Sequence, residues 1–415
     1  MNNLRLALDL GTTTLGGRLL AADGKVLAEA QLANPQAALG ADVIRRLEAA
    51  LGGEGERLQQ LLVQGIELLL AQLLRQSGDR REEIGAAAAA ANPAITYLLR
   101  RLSPAEILFP PHRPKNGQGG VVDPVDLGLR LPVPLYLFPL VSGYVGGDLV
   151  AFLYGYAEEA SSLVPASSSR FFIDIGTNGE MALYAGGRWW TTSVAAGPAF
   201  EAGGIAAGMP ATAGAVEAVE LDGDRLRLRT IGGGRPHGIC GSGVASAMAA
   251  ALQAGLIDRR GSLAAPGEVA TNLARHLVES THGRELRLYR DAGLDLRLSQ
   301  EDIRQFQLAK GAVHAGAACL LQRGGVEAAE VEKVVVTGAF GLSLPPDILK
   351  KVAMLPAGMI DKVSFVPGGA LAGIGRLLRE ADGPAQVEKL TATLHPYPLS
   401  GTPAFEKAFL SSLDF

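Results

Sequence analysis

Apolar residues fall along this chain in short runs whose period changes from strand to helix. Residues 5–10, 15–21 and 25–31 read as three strands separated by turns. The stretch RLQQLLVQGIELLLAQLLRQ then sets Leu58, Leu61, Leu62, Ile66, Leu69 and Leu73 at helical spacing, which predicts an amphipathic helix packed on a sheet. Arg and Gln residues interrupt that stretch, so it does not read as a membrane span. IGAAAAAA at 84–91 is ambiguous by pattern, since alanine favours helix. Asn92 and Pro93 open a helix, proline being suited to a first turn. Residues 103–135 are rich in Pro and Gly and predict a long loop or a small excursion. The serine-rich SSLVPASSSR at 161–170 marks a junction, and the tail closes in a helix at FEKAFLSSLDF.

Two segments repeat one plan: LALDLGTTTLGG at 6–17 and FFIDIGTNGEMAL at 171–183. Each is an apolar run that ends in Asp and Gly, turns through small polar residues, and resumes as a second apolar run. Gly11 and Gly176 let backbone N–H groups approach a phosphate, while Thr12, Thr13, Thr14 and Thr177 add hydroxyl donors. Asp9 and Asp174, at the strand ends, are placed to hold Mg²⁺ through water, since that ion keeps most of its hydration shell. A single Asp-Gly turn is usually only a turn; the repeat suggests a duplicated nucleotide clamp. A third element, VEKVVVTGAFGLS at 331–343, is a strand followed by a glycine turn.

With these three elements in this order, the chain resembles the actin, sugar-kinase and heat-shock-chaperone ATPase superfamily. Within it, the chain resembles the ATP-dependent reductive activators of corrinoid proteins. The resemblance rests on NPQAALGADVIRRL at 34–47, GYVGGDLVAF at 143–152, DIGTNGEMAL, SVAAGPAFEAGGIAAGMPATAGAV at 193–216, GICGSG at 238–243 and SQEDIRQFQLAKGAVHAG at 299–316. It implies an α/β fold, the two-lobed actin-like ATPase with duplicated ribonuclease H-like subdomains and nucleotide in the interlobe cleft. The expected divisions are 1–165, 166–380 and a helical tail at 381–415 that packs back. It implies ATP and Mg²⁺ as ligands, a corrinoid protein as client, and reduction of inactive Co(II) to Co(I).

The same resemblance assigns residues. Asp9, Thr12, Thr13, Thr14, Gly176, Thr177 and Asn178 are expected at the phosphates. Gly197 and Glu201 are expected at the nucleotide, Glu201 facing ribose or metal. Gly241 and Ser242 open a helix whose amides meet an anion or adenosine. Lys310 reaches a base or phosphate, and Gly338, Ala339 and Phe340 form the adenosine loop. Asp148 stands where kinases of the superfamily keep a catalytic acid, and it equally suits a helix N-cap after Gly146 and Gly147. Glu180 is a second candidate for positioning metal or water. Three places depart from the family: Ser246 where an Asp is usual, Leu342 where an Asn is usual, and PGGALAG at 367–373 in place of the late GN-x-A turn.

The 415 residues, 48% hydrophobic and 19% charged, suffice for two lobes with separate cores. A net charge of −4 offers no basic surplus for a nucleic-acid backbone. The six histidines form no ligand spacing. Cys240 and Cys319 lack a C-x-x-C partner, so no disulfide framework, zinc site or iron–sulfur cluster is expected, and a separate ferredoxin or flavodoxin would supply the electron. Met1 lies just before the first strand, which predicts no signal peptide and a cytoplasmic protein; no membrane contact is expected, and a homodimer is left open. Two other functions fit the same motifs: a small-molecule kinase, in which Asp148 deprotonates a hydroxyl, and a nucleotide-switched binding protein without turnover.

Overall fold

Leu4, Leu6, Leu8 and Leu10 share one face of the first strand, β1 (Leu4–Leu10), as a two-residue period demands. In the computed structural model, which describes residues 4–156, 168–281, 283–338 and 344–415, β1 turns antiparallel into β2 (Thr14–Leu20). β2 pairs antiparallel with β3 (Val26–Ala33). A short helix α1 (Val43–Ala49), capped by the Asp42 carboxylate, precedes the long α2 (Gly55–Ser77). Leu62, Ile66, Leu69, Leu70 and Leu73 of α2 form one core with the β1 leucines. The helix stops at Gly78, whose left-handed φ of 78° suits glycine.

The alanine run is a strand, β4 (Ile84–Ala91), parallel to β1. Ala87, Ala89 and Ala91 join the leucine core, while Ala88 and Ala90 are buried on the opposite face. With both faces covered, packing overrides alanine's helical preference. Asn92 then caps α3 (Pro93–Leu99) through its side-chain oxygen. Residues 103–135 are more than a loop: α4 (Ala105–Leu108) is followed by β5 (Gly120–Val122), which pairs antiparallel with β6 (Leu135–Leu137) and forms the sheet edge. β6 runs parallel to β4, giving the order β3-β2-β1-β4-β6-β5, and α5 (Gly147–Tyr156) follows.

A second unit repeats this plan. β7 (Arg170–Ile175) turns antiparallel into β8 (Asn178–Ala185), which β9 (Arg188–Ala195) follows. β10 (Ala215–Asp222), β11 (Arg225–Thr230) and β12 (Gly238–Ile239) make a small sheet against which α6 (Gly241–Gln253) packs. β13 (Leu277–Ser280), β14 (Gly283–Arg290) and β15 (Asp295–Ser299) form an antiparallel sheet before α7 (Gln300–Gly324), whose Ser299 and Asp302 build a capping box. β16 (Lys333–Gly338) runs parallel to β7, and after α8 (Pro346–Lys351) and α9 (Ala357–Ile360), β17 (Val363–Phe365) runs parallel to β16. The order β17-β16-β7-β8-β9 mirrors β6-β4-β1-β2-β3: in each, the first strand lies between its hairpin partner and a later parallel strand.

The chain divides by packing into Met1–Pro165 with 187–191 and 368–396, and 166–186 with 192–367 and 397–415. Residues 368–396, read from sequence as the end of the second lobe and part of the tail, therefore group with the first unit. They hold α10 (Gly369–Leu377), α11 (Gly383–Ala392) and β18 (Leu394–Pro396), the last strand of the second sheet, which pairs parallel with residues 189–191 of β9, a stretch that groups with it. The reason is close packing: a Cβ on Gly373 would lie 1.7 Å from the Ala151 carbonyl oxygen of α5. Arg376 adds a hydrogen bond of 2.8 Å to the Tyr154 carbonyl, and the Tyr154 hydroxyl donates to Glu380 over 2.5 Å. The final helix, α12 (Pro403–Ser411), belongs to the second unit.

The α5–α10 contact has no room for one methyl group. Gly373→Ala is expected to cost at least about 2 kcal/mol, as overpacking against backbone typically does. Denaturant unfolding of the full chain should show a lowered midpoint; an unchanged midpoint would refute this packing.

Candidate functional site

In the first unit the turn after β1 closes with Gly11 N–H donating to the Thr14 carbonyl over 3.0 Å. A Cβ on Gly11 would stand 2.7 Å from that oxygen, so the turn requires glycine. Three residues fasten the turn from behind. Asn34 Nδ2 donates to the Gly11 carbonyl at 2.9 Å, Arg46 Nη1 to the Thr12 carbonyl at 2.8 Å, and Asn92 Nδ2 to Thr12 Oγ1 at 2.9 Å. Thr12 is buried by these contacts, Thr13 half-buried and Thr14 exposed. No functional role for Asn34, Arg46 or Asn92 is legible from the sequence alone. The available signal was the block at 34–47, which contains the first two, and an Asn that opens a helix.

Asp9 ends β1 on the face opposite the leucines, across from Gly16 of β2. Its carboxyl is pushed up to about 7, first by burial and then by the charge of Asp148, with Arg18 opposing. Asp148 lies in the first turn of α5 rather than at its N-cap, and accepts from the Leu149 N–H at 2.9 Å. Burial raises its carboxyl as well. Gly146 admits Asp148 beside Asn92: a Cβ there would meet Asn92 Cα at 2.5 Å and Asp148 Oδ1 at 2.7 Å. Asp9, Asp148, Asn92 and the threonine turn thus converge, and two carboxylates that resist joint ionisation suit a cation or a proton acceptor.

In the second unit Asp174 ends β7 across from Glu180 of β8. Gly176 N–H donates to the Asn178 carbonyl, and Gly197 N–H to the Thr177 carbonyl, each over 2.9 Å. The Thr177 hydroxyl donates to Glu201 Oε2 over 3.1 Å, so Glu201 sits on the turn. The Ser193 hydroxyl donates to the buried Glu180 over 3.3 Å. Gly338 lies against Asp174: with φ of 103°, a Cβ there would come within 2.4 Å of Asp174 Oδ1. The strand-ending glycine thus lets a third backbone segment approach the carboxylate.

Other expected residues are placed differently. Gly241 lies where a Cβ would meet the Phe200 carbonyl oxygen at 1.7 Å, so the start of α6 is pressed against the segment carrying Glu201. Ser242 is buried, its hydroxyl 3.3 Å from Cys240 Sγ. Ser246 spends its hydroxyl on Val219 N–H and the Gly243 carbonyl, each at 2.9 Å. Lys310 is fully buried in α7, donates to the Asp414 carbonyl and lies 5.3 Å from the Phe415 ring centre. Ala339, Phe340 and Leu342 lie outside the described residues. Cys240 and Cys319 are buried and unpaired as disulfides. Among the described residues no three His, Cys, Asp or Glu cluster as metal ligands, and no helix is long and apolar enough to cross a membrane. In the first unit Asp9 and Asp148 crowd like charges, a donor set that suits a cation bringing its own water, such as Mg²⁺.

The Asp9 shift has a definite sign in the ligand-free protein. A folded value above the unfolded one stabilises the fold at low pH, and that contribution disappears as pH rises from about 4 through about 7. Asp9→Asn removes the titration, so its stability relative to the parent should grow over that window in denaturant midpoints. A difference that stays constant with pH would refute the shift.

Comparison with known proteins fits this geometry. Residues 168–415 match the family model described as the C-terminal domain of RACo, the ASKHA domain, and residues 4–157 match the RACo middle region. The segment read from sequence as the first ATPase subdomain thus coincides with what the family calls its middle region. The corrinoid activation enzyme RamQ of Eubacterium limosum is 28% identical over 380 residues, covering 87% of this chain and 61% of that protein. A [Co(II) methylated amine-specific corrinoid protein] reductase of Methanosarcina barkeri is 26% identical over 249 residues, 55% of this chain and 41% of that one. The solved structure of a reductive activator for a corrinoid, iron–sulfur protein superposes with a TM-score of 0.91 at 30% identity, covering all of this chain and 66% of that one. The chain spans about three-fifths of the first curated relative's length. It belongs to the RACo family, carrying the middle region and the ASKHA C-terminal domain in that order.

Proposed function

We propose that this protein binds and hydrolyses Mg-ATP and uses it to return the Co(II) form of a corrinoid protein to Co(I), with the electron supplied by a separate ferredoxin or flavodoxin. The observation that carries this reading is the pair of fastened turns, each an Asp two residues before a Gly, on duplicated sheets, in a chain matched along its length by RACo-family models. Asp9, Thr12 and Thr13 from the first unit and Asp174, Gly176 and Thr177 from the second would hold Mg-ATP. Mg²⁺, when bound, neutralises phosphate charge and orients the terminal phosphoryl group. Asp148, whose carboxyl is raised by burial, would accept a proton from water placed beside Asp9. Returning Co(II) to Co(I) is uphill for cellular donors. ATP assists only by favouring one conformational state over another, since a ligand with equal affinity for both shifts nothing.

The raised Asp148 carboxyl also suits a small-molecule kinase, in which it would deprotonate an acceptor hydroxyl. The two readings differ in product. Anaerobic visible spectra of a Co(II) corrinoid protein from the same source, mixed with this protein and a low-potential reductant, should show Co(I) only with Mg-ATP. Asp9→Ala and Asp174→Ala should each lower the rate by at least about a hundredfold, the usual scale for losing a charge-positioning group. No Co(I), with ATP turnover indifferent to the corrinoid protein, would overturn the activator reading. A phosphorylated small acceptor would establish the kinase.

A further inference from the structure

The first turn is held by its carbonyls, one after another. The Gly11 oxygen accepts from Asn34 Nδ2 at 2.9 Å, the Thr12 oxygen from Arg46 Nη1 at 2.8 Å, and the Thr13 oxygen from the Asn34 N–H at 2.7 Å. A trans peptide points its N–H away from its C=O. Drawing three successive carbonyls inward therefore turns the N–H groups of Thr12, Thr13 and Thr14 toward the opposite side of the turn. Successive amides aimed one way form an anion-binding concavity.

Arg46 has a second property. It is 1% exposed, and among the described residues its guanidinium forms no ion pair; its other bonds go to the Gly40 carbonyl at 2.8 Å and Gln36 Oε1 at 3.4 Å. Burial disfavours that charge, the Asp42 carboxylate favours it without forming an ion pair, and an anion on the far side of the turn would add to that relief. We infer that Arg46 is a positioning residue for a phosphate nest made of the Thr12, Thr13 and Thr14 amides, acting both through the Thr12 carbonyl and through its own charge. Lysine replaces it only in part, keeping the charge but not the planar fork that spans the Gly40 and Thr12 carbonyls.

This rests on the proposed ATP reading, and the test separates the two. Calorimetric titration of the full chain with AMP, ADP, ATP and inorganic tripolyphosphate gives the gain in affinity per added phosphate. Arg46→Met, which keeps most of the buried volume, should reduce ATP and tripolyphosphate affinity by about tenfold or more, as losing a charged hydrogen-bond donor does, and flatten the AMP-to-ATP gradient. Arg46→Lys should fall between Met and the parent, and it decides the matter by the same gradient where Arg46→Met does not fold. A merely structural role would weaken all four ligands alike, and that result overturns the inference, as does a folded Arg46→Met with parental ATP affinity. Parent protein that binds tripolyphosphate but not ATP, with the Arg46 dependence intact, sustains the nest and refutes the nucleotide. Parent protein that binds neither overturns both.

Discussion

A carboxylate at the end of a buried strand loses hydration, and each unit of this protein is arranged around one such group. Asp9 and Asp174 close the strands β1 and β7, each flanked in sequence by buried apolar residues, Leu8 and Leu10 or Ile173 and Ile175. In the first unit Asp148 adds a second negative charge beside Asp9, which Arg18 opposes only in part. What the fold supplies instead is access. Gly16 faces Asp9 across the hairpin, and Gly338 brings backbone against Asp174. Open backbone beside a poorly solvated anion favours a cation that brings its own water.

The two turns share a backbone plan but are stiffened differently. The first is drawn inward by polar side chains, among them a buried Arg46. The second is held by packing. Glu201 accepts from Thr177, and its neighbour Phe200 packs edge-on against Phe306 at 5.8 Å, which in turn stacks on Phe415 at 6.3 Å. Gly241 lets α6 close on Phe200. Side-chain hydrogen bonds to successive carbonyls fix the first turn; at the second, the Thr177–Glu201 hydrogen bond is backed by aromatic contact and a missing methyl group.

These differences explain what could be read from residues alone. The Asp-Gly hairpins, the leucine stripe of α2 and the Asn92 helix start are local patterns, and they appear where the residues place them. The alanine strand was ambiguous because only burial on both faces decides it. β5 was hidden because Gly120–Val122 is too short to show a period between Pro- and Gly-rich flanks. Arg46 and Asn34 are illegible in the sequence for another reason. Their partners lie 34 and 23 residues away, and a side chain that binds a distant carbonyl leaves no periodic trace. The blocks at 34–47 and 238–243 carry the family resemblance, but their work is visible only in three dimensions: one fastens a turn and the other makes room for a helix.

The first unit is also discontinuous in sequence. Its helix α5 ends at Tyr156, while the helix that covers it, α10, starts at Gly369. During synthesis roughly 200 residues separate the two, so at ordinary ribosome speeds α5 waits on the order of ten to forty seconds for its partner. Throughout that interval the small-residue face around Ala151 and Gly155 is uncovered. Strands β7, β8, β9, β16 and β17 of the second sheet are all made before α10, so completion of the earlier unit is timed by the later one.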